Sequence, residues 1–469
     1  MRGIVVALRQ RGLKPLLGAA LVSLTGDWVL RVGLAYHVYV LTGSTIASAL
    51  MLLASFVPQI LLGSVAGVFV DRWDPRRTMI ICDLALAVGL LPLLLVQHAS
   101  QAWIVYTVLV WEGAVQQFFS PAEQSMLPRL SNDEHLPTAN ALAGQSRDVS
   151  RLVGSALGGV LSAAGGIAAL AVFDLGSFLV SAALISRIPR GAQRQAAAET
   201  VAGVRGRLTE LGREWREGIR LCASNQVLRT VLLFLLITSL GEGIMGTLFA
   251  PFARSVLHGT GADYGVIVSA QAVGGIAGGM FAAGLGNRLN AARALGCAAV
   301  AFGIADLALF LYPLAWTAVW PAAVLIAVAG IPGAFILVAG ITLLQRHAGE
   351  AHIGRVFGAL GVVEGVAAVV GTLTAGVLAQ TLGIIPVLVT QGAGYVTAGA
   401  LVLVALRERP GSRPAVVNLQ PIAPDREEFR YDALWPVEAA SSRESAAGQA
   451  GRATPAAAGG GSAHPRARP

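Results

Sequence analysis

The sequence predicts an all-α integral membrane protein, with about twelve transmembrane helices in two pseudo-symmetric six-helix bundles. Three observations carry that expectation: apolar blocks of bilayer length, a one-sided distribution of basic residues, and an internal repeat. Mean hydropathy is +0.67, and 55% of the 469 residues are hydrophobic against 13% charged, which excludes an ordinary soluble domain. A helix needs roughly 20 mostly apolar residues to cross the hydrocarbon core. Blocks of that kind run over 19–41, 46–70, 79–96, 103–119, 139–164 and 167–188. A second series covers 227–249, 264–285, 294–311, 316–344, 356–382 and 384–406.

Basic residues set the orientation. All 34 Lys and Arg except Arg31, Arg147, Arg151 and Arg254 fall at the N-terminus, after every second span, or in the C-terminal tail. Basic loops stay in the cytoplasm, so both termini are expected there, as an even span count requires. The formal charge of +8 follows from this bias and gives no support to a nucleic-acid partner. Lys14 is the only lysine amid abundant Arg, Ala and Gly, a bias of high-GC bacteria, so a bacterial plasma membrane is the expected location. The start MRGIVVALRQRGLKP is similar to the charged region of a signal peptide. The block after it is too long for one and carries Asp27 and Arg31, so it is expected to remain as the first span. Cys82, Cys222 and Cys297 are too few and scattered for a disulfide framework or a metal site.

The expected organisation is a cytoplasmic N-terminus (1–15), an N-terminal bundle (16–188), a cytoplasmic linker (189–225), a C-terminal bundle (226–406) and a disordered tail (407–469). In the linker, Val204, Leu208, Leu211, Trp215 and Ile219 recur at helical spacing with Arg and Glu between them. That pattern predicts an amphipathic helix. The tail is rich in Ala, Gly, Pro, Ser and Arg, with too little apolar material to fold alone. A shift of 216 residues lays Asp71-Arg72-Trp73-Asp74 and Arg77 over Asn287-Arg288-Leu289-Asn290 and Arg293, and a similar shift lays Gly154 over Gly371. A six-span unit has been duplicated in parallel, the pattern of secondary transporters with a site between the repeats.

GVFVDRWDPRR, 67–77, concentrates charge between the second and third spans. A carboxylate there can face the positive end of another helix, worth about 0.3–1 kcal/mol when exposed. Arg72, Arg76 and Arg77 can pair with acids such as Asp83 or Glu123, forming a latch that exists only when the halves close on that side. The simpler alternative is that these charges only enforce topology. In the fifth span, RLVGSALGGVL places Gly154 and Gly158 one turn apart with Gly159 beside them, which suits close helix packing.

Two sixes of spans with G-x-x-x-D-R in this loop resemble the major facilitator superfamily, over about 15–406. Gly67, Asp71 and Arg72 match its signature, whereas Asp74 and Pro75 depart from it and leave Arg76 and Arg77 displaced by one. The resemblance implies a gating role for these residues, with the eleventh span near Arg355 as partner of Asp71. Gly154, Gly158 and Gly159 resemble the family's antiporter motif, with Ser155 where proline is usual, and imply export. LTGDWVLRVGL, YVLTGSTIASAL, FFSPAEQSMLPRL and LPTANAL together resemble the multidrug, macrolide-efflux and enterobactin-exporter group.

Ionisable groups inside spans cost about 2.5–3.5 kcal/mol each on insertion scales, so they mark function. They are Asp27 and Arg31 in the first span, Glu112 in the fourth, and Arg147, Asp148 and Arg151 in the fifth. Asp174, Glu242, Asp306 and Glu364 follow in the sixth, seventh, ninth and eleventh. Asp27 and Arg31 lie four apart and share a face, as an intrahelical pair. Such acids take up a proton in one environment and release it in another, or else form permanent bridges that lock helices. No Walker-type phosphate loop exists, which with one lysine excludes a single-chain ATP-driven pump. No enzymatic constellation, metal or cofactor is expected; the proton gradient supplies energy. The expected protein is a monomeric exporter of an amphiphilic small molecule in exchange for protons, with bilayer, substrate and protons as partners. Uptake by symport, or a non-transport role in lipid remodelling or sensing, are the alternatives.

Overall fold

The computed structural model describes residues 12–70, 73–131, 136–189, 204–285, 290–348 and 352–407. Helices come in the order α1 (Leu13–Thr42), α2 (Thr45–Val70), α3 (Pro75–Gly89) and α4 (Ala102–Leu130). Residues Leu136–Ser186 form two helices, α5 (136–165) and α6 (167–186), separated at Gly166, whose φ of 60° only glycine adopts without strain. Then follow α7 (Val204–Ser224), α8 (Gln226–Pro251), α9 (Gly261–Leu285), α10 (Ala291–Leu311), α11 (Trp320–Ala348), α12 (Ile353–Leu382) and α13 (Ile384–Ala405). Among the described residues, nine helical stretches are long and apolar enough to span a membrane, with α5 and α6 taken as one. Separating those two, and adding α2 and the more polar α4, gives the twelve spans; α7 is the amphipathic helix.

Local chemistry explains where helices begin. Asp74 caps α3 by accepting from the Arg77 amide at 3.1 Å, with Pro75 in the first turn. Asn290 caps α10 in the same way, accepting from Ala292 and Arg293 at 3.0 and 3.1 Å. The two caps occupy equivalent places in the repeat, so Asp74 is a helix start as well as a departure from the family signature.

Lipid tails are as apolar as leucine, so helices associate through close backbone approach. A Cβ on Gly154 would stand 2.6 Å from the Thr25 carbonyl oxygen of α1, and one on Gly158 would stand 2.6 Å from that of Val29. In the second half, a Cβ on Gly371 of α12 would stand 2.0 Å from the Leu240 carbonyl oxygen of α8. The fifth-to-first contact of one repeat is thus the eleventh-to-seventh contact of the other. Between halves, α5 packs on α9 and α12 on α2, again as equivalents.

The linker helix sits on α12: Arg355 donates to Glu217 at 2.8 Å, and Gly218 lies under the Arg355 carbonyl. Of the predicted stripe, Trp215 and Ile219 are the residues whose side chains are described, and Ile219 is half-buried. Gly218 and Cys222 are buried while Trp215 stays 42% exposed, because close approach to α12 selects the small side chains. Burial pushes the Cys222 thiol up from its ordinary value.

Candidate functional site

The halves grip each other towards the end of the bundle opposite the described termini. Tyr36 donates to the Gly259 carbonyl at 3.0 Å, Tyr39 and Ser255 share a hydrogen bond of 2.7 Å, and Thr45 donates to the Gly376 carbonyl at 2.8 Å. Gly159 of α5 and Gly265 of α9 are in backbone contact one turn further in. Deepest among the described residues are Ser269 on the Leu152 carbonyl at 3.2 Å and Arg151 on Gln271 at 2.6 Å. Closure therefore runs from one end to mid-helix and no further along these contacts.

At that depth α1 turns Asp27 into the N-terminal bundle, where it is 8% exposed and accepts from Gln116 of α4 at 3.3 Å. Glu112, one turn along α4, is half-buried, and Asp174 of α6 is fully buried, accepting from Ser177 at 2.9 Å. The three carboxyls lie close enough to interact electrostatically. Asp27 Oδ1, Glu112 Oε2, Asp174 Oδ2 and Gln116 Oε1 are buried with no hydrogen-bond partner among the described residues. Gly26 makes room: a Cβ there would fall 2.1 Å from both Asp174 Oδ1 and Ser177 Oγ.

Arg31 does not form the intrahelical pair with Asp27 that their spacing suggests. It is exposed, and its guanidinium stands 5.3 Å from the Trp28 ring centroid, while that of Arg151 stands 5.4 Å from the same centroid. The two cations are therefore at most about 11 Å apart, which costs at least about 1.5 kcal/mol at an effective dielectric near 20. Two contacts of about 0.5–1 kcal/mol each with the indole offset that repulsion.

The C-terminal bundle holds its acids differently. Glu242 of α8, exposed, accepts from the Tyr395 hydroxyl of α13. Asp306 of α10, 1% exposed, accepts from Gln391 of α13 at 2.7 Å. Arg151 and Glu242 interact electrostatically but make no ion pair within 4 Å. Arg147 and Asp148 lie one turn nearer the termini and are exposed; Glu364 of α12 is half-buried. These three join neither cluster through any described hydrogen bond.

In the charged loop, Asp71 and Arg72, with their counterparts Asn287 and Arg288, lie outside the described residues, as does the C-terminal tail. Gly67 falls within α2. Arg76 does not reach Asp83 or Glu123; it is buried and donates to the Ser186 carbonyl at the end of α6. Arg77 is exposed, 3.9 Å from Asp74. The nearest acceptor won in both cases.

Sequence reasoning missed Gln116, Gln391, Tyr395 and Trp28. The signal was present for three of them, since an amide or a phenol inside an otherwise apolar span needs a partner there.

A family model described as transmembrane secretion effector matches residues 4–417. An uncharacterized MFS-type transporter of Bacillus subtilis is 29% identical over 40% of this chain and 45% of that protein, less than half its length. Macrolide efflux protein A of Streptococcus pyogenes is 24% identical over 77% of this chain and 88% of that protein. Multidrug efflux pump Tap of Mycolicibacterium fortuitum is 27% identical over 79% and 89%. Among solved structures, a bacterial homologue of the iron transporter ferroportin aligns with a TM-score of 0.66 at 17% identity, over 85% of this chain and 99% of that one, a likeness of fold.

Proposed function

Because the chain belongs to the transmembrane secretion effector family of major facilitator transporters, we propose that it exports an amphiphilic small molecule in exchange for protons by alternating access. The substrate is of the drug, antibiotic or siderophore-like kind, in keeping with the efflux proteins it is similar to. The chain is a multi-pass membrane transporter and not an enzyme.

The observation that carries the exchange is the meeting of Asp27, Glu112 and Asp174 beside the mid-membrane level where closure stops. Carboxyls packed together with bare oxygens repel one another when charged, so the cluster holds protons that leave when the surroundings change. Arg31, on the same helix as Asp27, is a cation near enough to interact with Asp27 and Glu112. Basic loops put the open end in the cytoplasm, with both termini, in a bacterial plasma membrane. Substrate enters there along α1, α5 and α8, past Arg31, Trp28, Arg151 and Glu242. Rocking the halves then parts the Tyr36, Tyr39 and Thr45 contacts and opens the other side. One chain encloses the whole site, so the working unit is a monomer.

Efflux of a fluorescent amphiphile such as ethidium, from cells with and without the transporter, tests this. An uncoupler is expected to abolish the transporter-dependent part; transporter-dependent efflux that persists undiminished removes proton exchange.

A further inference from the structure

Beneath the three-carboxyl cluster the N-terminal bundle holds two further acids that the exchange site does not use. Asp83 of α3 is fully buried, and neither of its oxygens has a hydrogen-bond partner among the described residues. Ser181 of α6 is also fully buried, and its hydroxyl lies close to Asp83 as a donor, short of good hydrogen-bond geometry. Glu123 of α4 is half-buried and interacts electrostatically with both Asp83 and Asp27. An acid buried bare in a bundle is costly, and a hydrophobic residue of similar size would fill the place more cheaply.

Depth orders these groups. At 1.5 Å per helical residue, counted from the terminus-side end of each helix, Glu112 lies about 27 Å in, Asp27 about 21 Å and Asp174 about 18 Å. On the same measure Asp83 lies about 12 Å in and Glu123 about 10 Å. The acids thus lie at successive depths on α1, α3, α4 and α6: α3 lies against α4 and the α5–α6 stretch, and α1 against that stretch. At the bottom, Glu123 meets the field of Arg147, which is exposed.

We infer that Asp83 and Glu123 form a proton route, separate from the substrate's path, that connects the Asp27 cluster to the terminus-side face through the interior of the N-terminal bundle. It deepens the exchange reading above and rests on it for its purpose. Asp83 takes a proton from the cluster on one carboxylate oxygen and gives it to Glu123, with Ser181 and water completing the hydrogen bonds; no bond other than O–H forms or breaks. The titratable groups that interact with Asp83 are Cys82 on its own helix, Glu123 on α4 and Asp27 on α1. Arg76 is committed to the Ser186 carbonyl, which leaves Asp83 without a cation at ion-pair distance among the described residues.

The test needs neither substrate nor direction. The purified full chain in lipid nanodiscs is subjected to a pH jump, and the infrared carbonyl band of protonated carboxyls is followed, with the part that disappears in Asp27→Asn assigned to Asp27. In Asp83→Asn and in Glu123→Gln, the Asp27 band is expected to respond at least tenfold more slowly, with Asp83→Glu retaining most of the rate. A wild-type rate in a folded Asp83→Asn or Glu123→Gln protein overturns the route. Should the buried Asp83 variant fail to fold, Glu123→Gln alone decides. Efflux that ignores an uncoupler would defeat the exchange reading and leave this rate untouched, so the two failures are distinct.

Discussion

The two halves share a scaffold and differ in how they hold their acids. Gly26 precedes Asp27 on α1 and makes room for Asp174; Gly241 precedes Glu242 on α8 and makes room for Gln391. The repeat therefore places Gln391 where the first half has Asp174. In the N-terminal half three carboxyls converge with oxygens left bare. In the C-terminal half the two acids at that depth are each answered by a neutral donor, Tyr395 for Glu242 and Gln391 for Asp306, and neither has an oxygen left buried and bare. Neutral donors stabilise a carboxyl without forcing it to exchange protons, whereas neighbouring carboxyls compete for them. After duplication, close glycine packing was kept in both halves, and converging carboxyls are found in one.

Neutralising one acid in each half is the strongest way to break that comparison. Asp27→Asn should reduce proton-driven efflux in inverted membrane vesicles by well over tenfold, more than about 1.4 kcal/mol in barrier terms. Glu242→Gln, which keeps an acceptor for Tyr395, should cost only several-fold. The opposite order would move the coupling site to the C-terminal half.

The shared scaffold makes a different demand. Gly154→Ala and Gly371→Ala each drive a methyl into a backbone carbonyl, at 2.6 and 2.0 Å, which cannot yield as a flexible side chain does. Both should destabilise by about 1–3 kcal/mol, with Gly371→Ala the worse, seen as a lower midpoint of thermal unfolding in detergent. If only the first-half variant were affected, the two contacts would not be equivalents.

Most of this scaffold is legible in the sequence because bilayer length, basic loops and glycine spacing are properties of single helices. The helices bearing Asp27, Glu112, Asp174 and Glu242 are legible for the same reason. What each acid touches is not, because that depends on how far a helix is rotated about its axis, and rotation is set by glycines on a neighbour. Gly26 is the example: its missing side chain lets Asp174 approach α1, and Asp27 turns to Gln116 while Arg31, four residues on, faces outward over Trp28. A spacing rule for one helix sees a salt bridge there; the packed bundle separates the pair. Asp83 shows the same limit, since its sequence neighbour Arg76 finds the end of α6 first.

The smallest difference to test lies in the charged loop. Asp74 and Asn290 hold the starts of α3 and α10 through the same side-chain-to-amide contact. As caps alone, Asp74→Ala and Asn290→Ala should each cost about 1 kcal/mol of stability, within the usual range of 0.5–2, and the two costs should match. The ionised side chain of Asp74 also sits at the positive end of α3, which adds a few tenths of a kcal/mol that Asn290 lacks. That excess should fade as added salt screens it, while the Asn290 variant shows no such change. Thermal midpoints of the two variants at low and high salt separate these contributions. A transport defect in Asp74→Ala, with stability matched to Asn290→Ala, would show that the first-half loop has kept a gating task that its copy has lost.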